Sequence, residues 1–235
     1  MLLDDCFTTF QEPEIGRATV QLLERAGYEV DLTSVCCGRA MISKGFLTAA
    51  RHLARNALPR LARAAADGIP ILGLEPSCLL TLTDEWTELI PGPATRQVAA
   101  KAELAEAWLA RQIQEEQVPL TFRPSATPLV FHGHCHQKAL VGVGGTTSAL
   151  GLIPESKVTV LDAGCCGMAG SFGYEKKHYD LSVKIANLAL IPGLSAAPEA
   201  TIIATGTSCR HQIRDLTGRT AKHPIEVLAE MSEIR

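Results

Sequence analysis

Apolar positions along the chain fall into short, strand-sized runs spaced by stretches of helical periodicity. Residues 2–3 read as the stub of a strand that runs into Cys6, 28–33 as a strand leading to Cys36, and 69–74 as a buried strand ending before Cys78. Helical patterns fill the gaps: 14–26, with Pro13 near its start and Gly27 at its end, and 44–66, with a break expected near Pro59. The alternation returns further on, with strands at 129–131, 157–161 and 201–205, helices at 136–150 and 175–190, and a closing helix at 225–231. Between the two series lies an Ala/Glu-rich stretch, 99–117, that reads as helical, and a proline-bearing segment, 118–128, that reads as a linker. Strands alternating with helices predict parallel sheets covered on both faces.

Eight cysteines turn this pattern into a duplication. They are Cys6, Cys36, Cys37 and Cys78, then Cys135, Cys165, Cys166 and Cys209. The first gap is 30 positions in both sets, each set holds an adjacent pair, and the last gaps are 41 and 43. Both pairs are followed by glycine, Gly38 and Gly167, and the closing cysteines end Pro76-Ser77-Cys78 and Thr207-Ser208-Cys209. One half maps onto the other with an offset of 129 to 131 residues. The expected architecture is therefore α/β: two tandem Rossmann-like parallel-sheet halves related by a pseudo-twofold, divided as residues 1–118 and 119–235. Ligands of such sheets collect beyond the carboxyl ends of the strands. Every cysteine lies just past such an end, so each set of four is expected to converge on one edge.

Three chemistries compete for these thiols. Buried structural cysteine packs as a small hydrophobe, but that role explains neither the repeated spacing nor the strand ends. Disulfides fit poorly. Adjacent residues have Cα atoms about 3.8 Å apart, short of the roughly 4.4–6.8 Å that a disulfide spans. Metal ligation remains. Structural zinc usually shows Cys-x-x-Cys knuckles, and none occurs here. Four widely spaced thiolates with an adjacent pair suit an iron–sulfur cluster, whose several irons accept neighbouring ligands. Glycine after each pair, and the run Gly167-Met168-Ala169-Gly170-Ser171-Phe172-Gly173, lets backbone N–H groups approach sulfide. Zinc stays open for one half.

Charge and composition narrow the partners. The 235 residues are 46% hydrophobic and 20% charged, as in an ordinary α/β protein, and carry a formal charge of −3. That balance speaks against nucleic acid, which needs a concentrated basic face. No apolar run reaches the length of a membrane span. The start, Met1-Leu2-Leu3-Asp4-Asp5, has no basic segment followed by an apolar one, so no export signal is read and a cytoplasmic location is expected. The brevity of the strand before Cys6 leads to the expectation that the chain is a piece of a longer polypeptide or is completed by a partner.

Cys36-Cys37-Gly38, Cys165-Cys166-Gly167 and His132-Gly133-His134-Cys135-His136-Gln137 resemble the cysteine-rich (CCG) domain that occurs twice in several redox proteins. Among these are the heterodisulfide reductase B subunit, the iron–sulfur subunits of glycolate oxidase and anaerobic glycerol-3-phosphate dehydrogenase, and lactate-utilisation proteins. The run at 165–174 also resembles the carboxyl-terminal part of FAD-linked 2-hydroxyacid dehydrogenases. The resemblance implies an electron-transfer module with one or two clusters, [4Fe–4S] foremost, and FAD only on a partner domain or subunit. It implies a flavoprotein dehydrogenase partner, a ferredoxin-like iron–sulfur domain as a further one, and a place in the cytoplasm or against the inner membrane. Two alternatives stand beside it: thiol–disulfide catalysis at the cluster and a zinc-binding scaffold. The heterodisulfide reductase pattern ends each half with Cys-x-x-Cys. Here Glu75 and Gly206 occupy the earlier position, which leaves the five-ligand cluster of that enzyme in doubt. Glu75 then reads as a surface acid at a strand–turn edge, with a fifth-ligand role as the alternative.

Among the histidines, His132, His134 and His136 flank Cys135, and hydrogen bonds to thiolate or sulfide, or proton handling, are expected ahead of direct ligation. His211 and His223 read as packing or capping groups, and His52 and His178 as solvent-facing. Gly142-Val143-Gly144-Gly145 lacks the strand and spacing of a nucleotide loop and is set aside.

Overall fold

A computed structural model describes residues 1–115, 118 and 120–234. Two four-stranded parallel sheets carry the chain. The first is built from β1 (Leu2–Asp4), β2 (Leu32–Ser34), β3 (Ile71–Gly73) and β4 (Ala102–Leu104), in the order β2-β1-β3-β4. A short strand, β5 (Leu120–Phe122), follows. The second sheet repeats the first: β6 (Leu129–His132), β7 (Val158–Val160), β8 (Thr201–Ala204) and β9 (Ala221–Lys222), in the order β7-β6-β8-β9. The last strand, β10 (Ser232–Ile234), lies antiparallel to β5.

Side-chain alternation in the strands sorts the core into layers. Leu2 and Leu72, with Leu129, Phe131 and Ile203, face a central core shared by both sheets, while Leu3 and Ile71, with Val130 and Ile202, face outward cores of their own half. Helices Pro13–Arg25, Ala105–Glu115, Gly144–Leu150 and Pro224–Met231 supply the rest of the central layer through Leu22, Leu109, Leu150 and Leu228, all fully buried. Among the described residues, no helix is long and apolar enough to cross a membrane.

Several elements depart from the sequence pattern. The stretch 99–117 is not one helix: Ala102–Leu104 leaves the helix Pro93–Lys101 and pairs with β3 before the helix Ala105–Glu115 begins. The segment 118–128 holds β5, so it is a sheet-forming connection. The end of the expected helix at Gln117 and the boundary at Pro119 lie outside the described residues, as does Arg235. The helix Leu47–Ala66 continues through Pro59, and the break falls earlier, where Gly45 takes a left-handed φ of 80°. Residues 136–150 form two helices, Cys135–Leu140 and Gly144–Leu150, parted at Gly142 (φ 70°). Gly145 lets the second of these approach Ala107, whose Cβ would sit 2.6 Å from an added methyl. Residues 175–190 divide as well, into 3-10 turns and the helices Tyr179–Ala186 and Leu190–Ser195. His178 is not solvent-facing. It stacks on Phe172, ring centroids 3.9 Å apart.

Candidate metal centre

In each sheet the chain leaves the first strand for one neighbour and then crosses to the other side, so a crevice opens between β1 and β3 and again between β6 and β8. Cysteines stand at all these strand ends. Cys6 opens the helix Cys6–Phe10 directly after β1, and Cys78 lies in the first turn of Pro76–Thr83 after β3. Asp5 caps the first helix, its Oδ1 accepting from the Phe7 and Thr8 amides at 2.9 and 3.1 Å. Glu75 caps the second, with Oε1 accepting from Ser77 N and Oγ at 3.1 and 2.7 Å. The second half follows the same plan. His134 Nδ1 accepts from His136 N at 3.2 Å and caps Cys135–Leu140, while Cys209 sits in the first turn of Thr207–Thr217. Four cysteines thus meet the positive ends of helices, where a thiolate is favoured.

The adjacent pairs arrive on loops that are fixed from behind. Trp86, fully buried, donates from Nε1 to the Cys37 carbonyl at 2.8 Å, and Gly38 turns the chain at φ 82°. Lys138 Nζ holds the carbonyls of Ala163 and Gly164 just ahead of Cys165. Gly167 is obligatory. Its φ is 97°, and an added Cβ would fall 2.2 Å from the Ser182 carbonyl oxygen.

All eight cysteines are free thiols, and within each half they find one another. In the first, Cys78 is hydrogen-bonded to both Cys37 and Cys6, and Cys36 lies close enough to feel the charge of Cys37 and Cys6. The Cys78 bond draws the exposed Cys6 thiol down to about 7, while its two thiol neighbours and burial push Cys78 well up. In the second half a chain of hydrogen bonds runs Cys135–Cys165–Cys166–Cys209. Charge alternates along it. Bonds from Cys135 and Cys166 press Cys165 and Cys209 toward thiolate, and Cys135 and Cys166 hold their protons. Soft thiolates, four to a site and already partly ionised, are the donor set that iron–sulfur clusters take, so the residues fit such a group. His132, Cys166 and Cys209 place one donor atom each within 4.8 Å of one another, all buried.

The two sites lie side by side. Glu75, read from the sequence as a surface acid, is only 3% exposed. Its Oε1 caps its own helix, and its Oε2 accepts from Thr207 N, at 2.8 Å, on the helix of the other half. Two helix N-termini thus converge on its carboxyl group. At the matching position Gly206 leaves room for the His134 ring. A Cβ there would lie 2.4 Å from His134 Cδ2. Gly206→Ala is therefore expected to lower stability by about 1–3 kcal/mol through overpacking, seen as a fall in the urea midpoint. Gly144→Ala, where a Cβ meets nothing within 4 Å, leaves that midpoint in place.

Two groups near the sites, Arg210 and Glu106, escaped sequence reasoning. Arg210, next to Cys209 and 6% exposed, spans the halves to Glu12. Glu106, fully buried, accepts from Thr146 Oγ1 at 2.9 Å, and the chain continues through Gln137 and Thr205 to the amide of His134. Its spacing to Leu109 and Ile113 on one helical stripe was the available signal. His136 faces Glu85 at 3.9 Å across the halves. Burial, then the charge of Arg39, lower it to about 4, so it is neutral at pH 7. His223 caps Pro224–Met231 and meets the Leu74 carbonyl at 3.1 Å, and His211 meets Tyr174 Oη at 2.6 Å.

Fold and site together define a duplicated parallel α/β protein with a thiol quartet at each topological switch point. Residues 2–83 match the cysteine-rich domain family named CCG. That match takes in the first cysteine set, Cys6 to Cys78. It is 31% identical over 233 residues to D-2-hydroxyglutarate dehydrogenase of Pantoea ananatis, an alignment covering 98% of this chain and 22% of that protein. To the C subunit of anaerobic glycerol-3-phosphate dehydrogenase from Escherichia coli K12 it is 30% identical over 228 residues, 96% of this chain and 57% of that protein. Lactate utilization protein A of an Exiguobacterium species is 26% identical over 236 residues, 95% of this chain and 91% of that protein. The chain thus spans about a fifth of the first relative and just over half of the second.

Proposed function

We propose that this chain is the iron–sulfur electron-transfer module of a 2-hydroxyacid oxidoreductase. Cys6, Cys36, Cys37 and Cys78 hold one cluster, and Cys135, Cys165, Cys166 and Cys209 a second, both of [4Fe–4S] type. The observation that supports this most is the repeated gathering of four thiols, three of them hydrogen-bonded together in the first half and four in a chain in the second, where a parallel sheet collects its ligands. A bound cluster supplies one-electron chemistry. The protein's share is to present thiolates at helix N-termini, to aim loop N–H groups at sulfur, as Arg39 N at Cys37 and Gly167 N at Cys165, and to keep Cys37, Cys78, Cys166 and Cys209 from water. Relatives named as dehydrogenases or their subunits support an FAD-bearing dehydrogenase domain or subunit as the electron source. A ferredoxin-like domain completes the route to the acceptor.

Anaerobic purification followed by iron, acid-labile sulfide and zinc analysis tests this reading. Iron and sulfide are expected in equal amounts, with visible absorption that dithionite bleaches reversibly. Cys78→Ser and Cys209→Ser are each expected to remove the share of one half and leave the other. Zinc without sulfide would overturn the proposal.

One observation favours a second reading for the first site. Cys6 is exposed and its thiol is lowered to about 7, the profile of an exchanging thiol. Turnover of a disulfide by the cluster-loaded chain, abolished by Cys6→Ser, would place catalysis there. Reversible bleaching with no disulfide turnover assigns the chain to carriage of electrons alone.

A further inference from the structure

His132 ends β6 and is fully buried, and neither ring nitrogen has a nitrogen or oxygen partner; the group its ring meets is the Cys209 thiol. Burying a ring nitrogen without a partner is costly, and native proteins keep few such groups. The polar side chains of the adjoining strand and helix ends are already engaged. The Thr205 hydroxyl accepts from His134 N and donates to Gln137, and His134 Nδ1 accepts from His136 N. What faces His132 is the pair of buried thiols of Cys166 and Cys209, within 4.8 Å.

The first half shows what this position does without a nitrogen. Three residues before Cys6, as His132 is three before Cys135, stands Leu3. Leu3 is 3% exposed and packs in the same cluster as Cys37 and Cys78, the counterparts of Cys166 and Cys209. A leucine therefore satisfies every packing demand at this point of the fold. The imidazole has no packing role that the repeat requires, and the groups it meets are thiols of the quartet.

We infer that His132 is a further ligand of the second site, which holds its metal through imidazole as well as thiolate, whereas the first site is thiolate alone. This rests on the reading of the quartets as metal sites and deepens it.

Pulsed electron paramagnetic resonance of the reduced, anaerobically purified chain tests the assignment. A nitrogen strongly coupled to the second centre is expected, and His132→Leu should abolish the coupling while the first centre's signal stays unchanged. Thermal melting of the variant checks its fold, and His132→Cys, which restores a donor, is expected to recover metal content without nitrogen coupling. Iron and sulfide present in the unaltered chain, with no nitrogen coupling, would overturn the role of His132 and leave the clusters standing.

Absence of iron and sulfide would instead sink the cluster proposal, and His132 is then judged with cobalt(II) alone added to the metal-free chain. Loss of at least about tenfold in affinity at the second site in His132→Leu, a size typical of perturbing a ligand shell, supports it. Unchanged affinity overturns it.

Discussion

Replacing Arg210 with methionine is expected to destabilise the fold by about 3–5 kcal/mol, the usual consequence of removing one partner of a buried ion pair. The guanidinium uses its whole fork. Nε and Nη2 bond the Glu12 carboxylate, Nη1 donates to the carbonyls of Ala204 and Thr205 at 2.9 Å each, and Nη2 also meets Thr207 Oγ1 at 3.0 Å. Methionine fills the channel but strands Glu12 and two carbonyls. Lysine keeps the charge but lacks the planar fork, so Arg210→Lys should recover only part of the loss. Pairing the change with Glu12→Leu removes the stranded charge and should restore much of the stability, a non-additivity that urea denaturation reads directly. The effect also has a pH signature. Burial raises the Glu12 carboxyl, but the bonds from Arg210 outweigh it and the net shift is downward from 4.5. A depressed acid stabilises the fold above its unfolded value and stops doing so as it is protonated. The gap between wild type and Arg210→Met should therefore narrow as the pH falls below about 4.5.

The second large effect runs the other way with pH. Burial, assisted by the nearby charge of Glu103, raises the Glu106 carboxyl to about 7 from 4.5. Neither Gly144–Leu150 nor β3, both packed against its helix, brings a titratable residue, and Glu226 on Pro224–Met231 is bonded to His223 N at 2.7 Å. The folded protein then keeps a proton that the unfolded chain has lost, so stability declines as the pH rises from about 4.5 to about 7 and levels off above that. At about 1.36 kcal/mol per unit the decline amounts to roughly 3 kcal/mol. Glu106→Gln still accepts from Thr146 and cannot ionise. Urea midpoints measured from about pH 4 to pH 8 should show the variant gaining on wild type through that window and holding its gain beyond it. Parallel curves would show that Glu106 does not titrate there.

Much of the site was legible in the sequence because ligand spacing and strand ends survive translation into three dimensions. The cysteine register named the strands β1, β3, β6 and β8, and glycine after each pair announced a turn that Gly38 and Gly167 make at positive φ. Strand β4 was hidden because Ala102, Glu103 and Leu104 are helix formers that become a strand only by pairing with β3. Glu75 was misjudged for a related reason. An acid at a turn is ordinarily exposed, and its burial follows from Thr207, 132 positions away. The Glu12–Arg210 pair is separated by 198 positions and has no local signature at all. Long-range polar contacts between the halves were what the periodicities could not carry.

The single carboxylate of Glu75 also bears on how such a duplicated chain came to be. Two identical copies meeting about a symmetry axis would bring a glutamate from each side to the same spot, and like charges at close quarters repel. Only one copy can keep the acid. The other is free to carry none, and Gly206 there accommodates the neighbouring imidazole of His134. Joining both copies in one polypeptide makes that division of labour heritable, since each position then mutates on its own. A dimer of identical subunits could never have separated them.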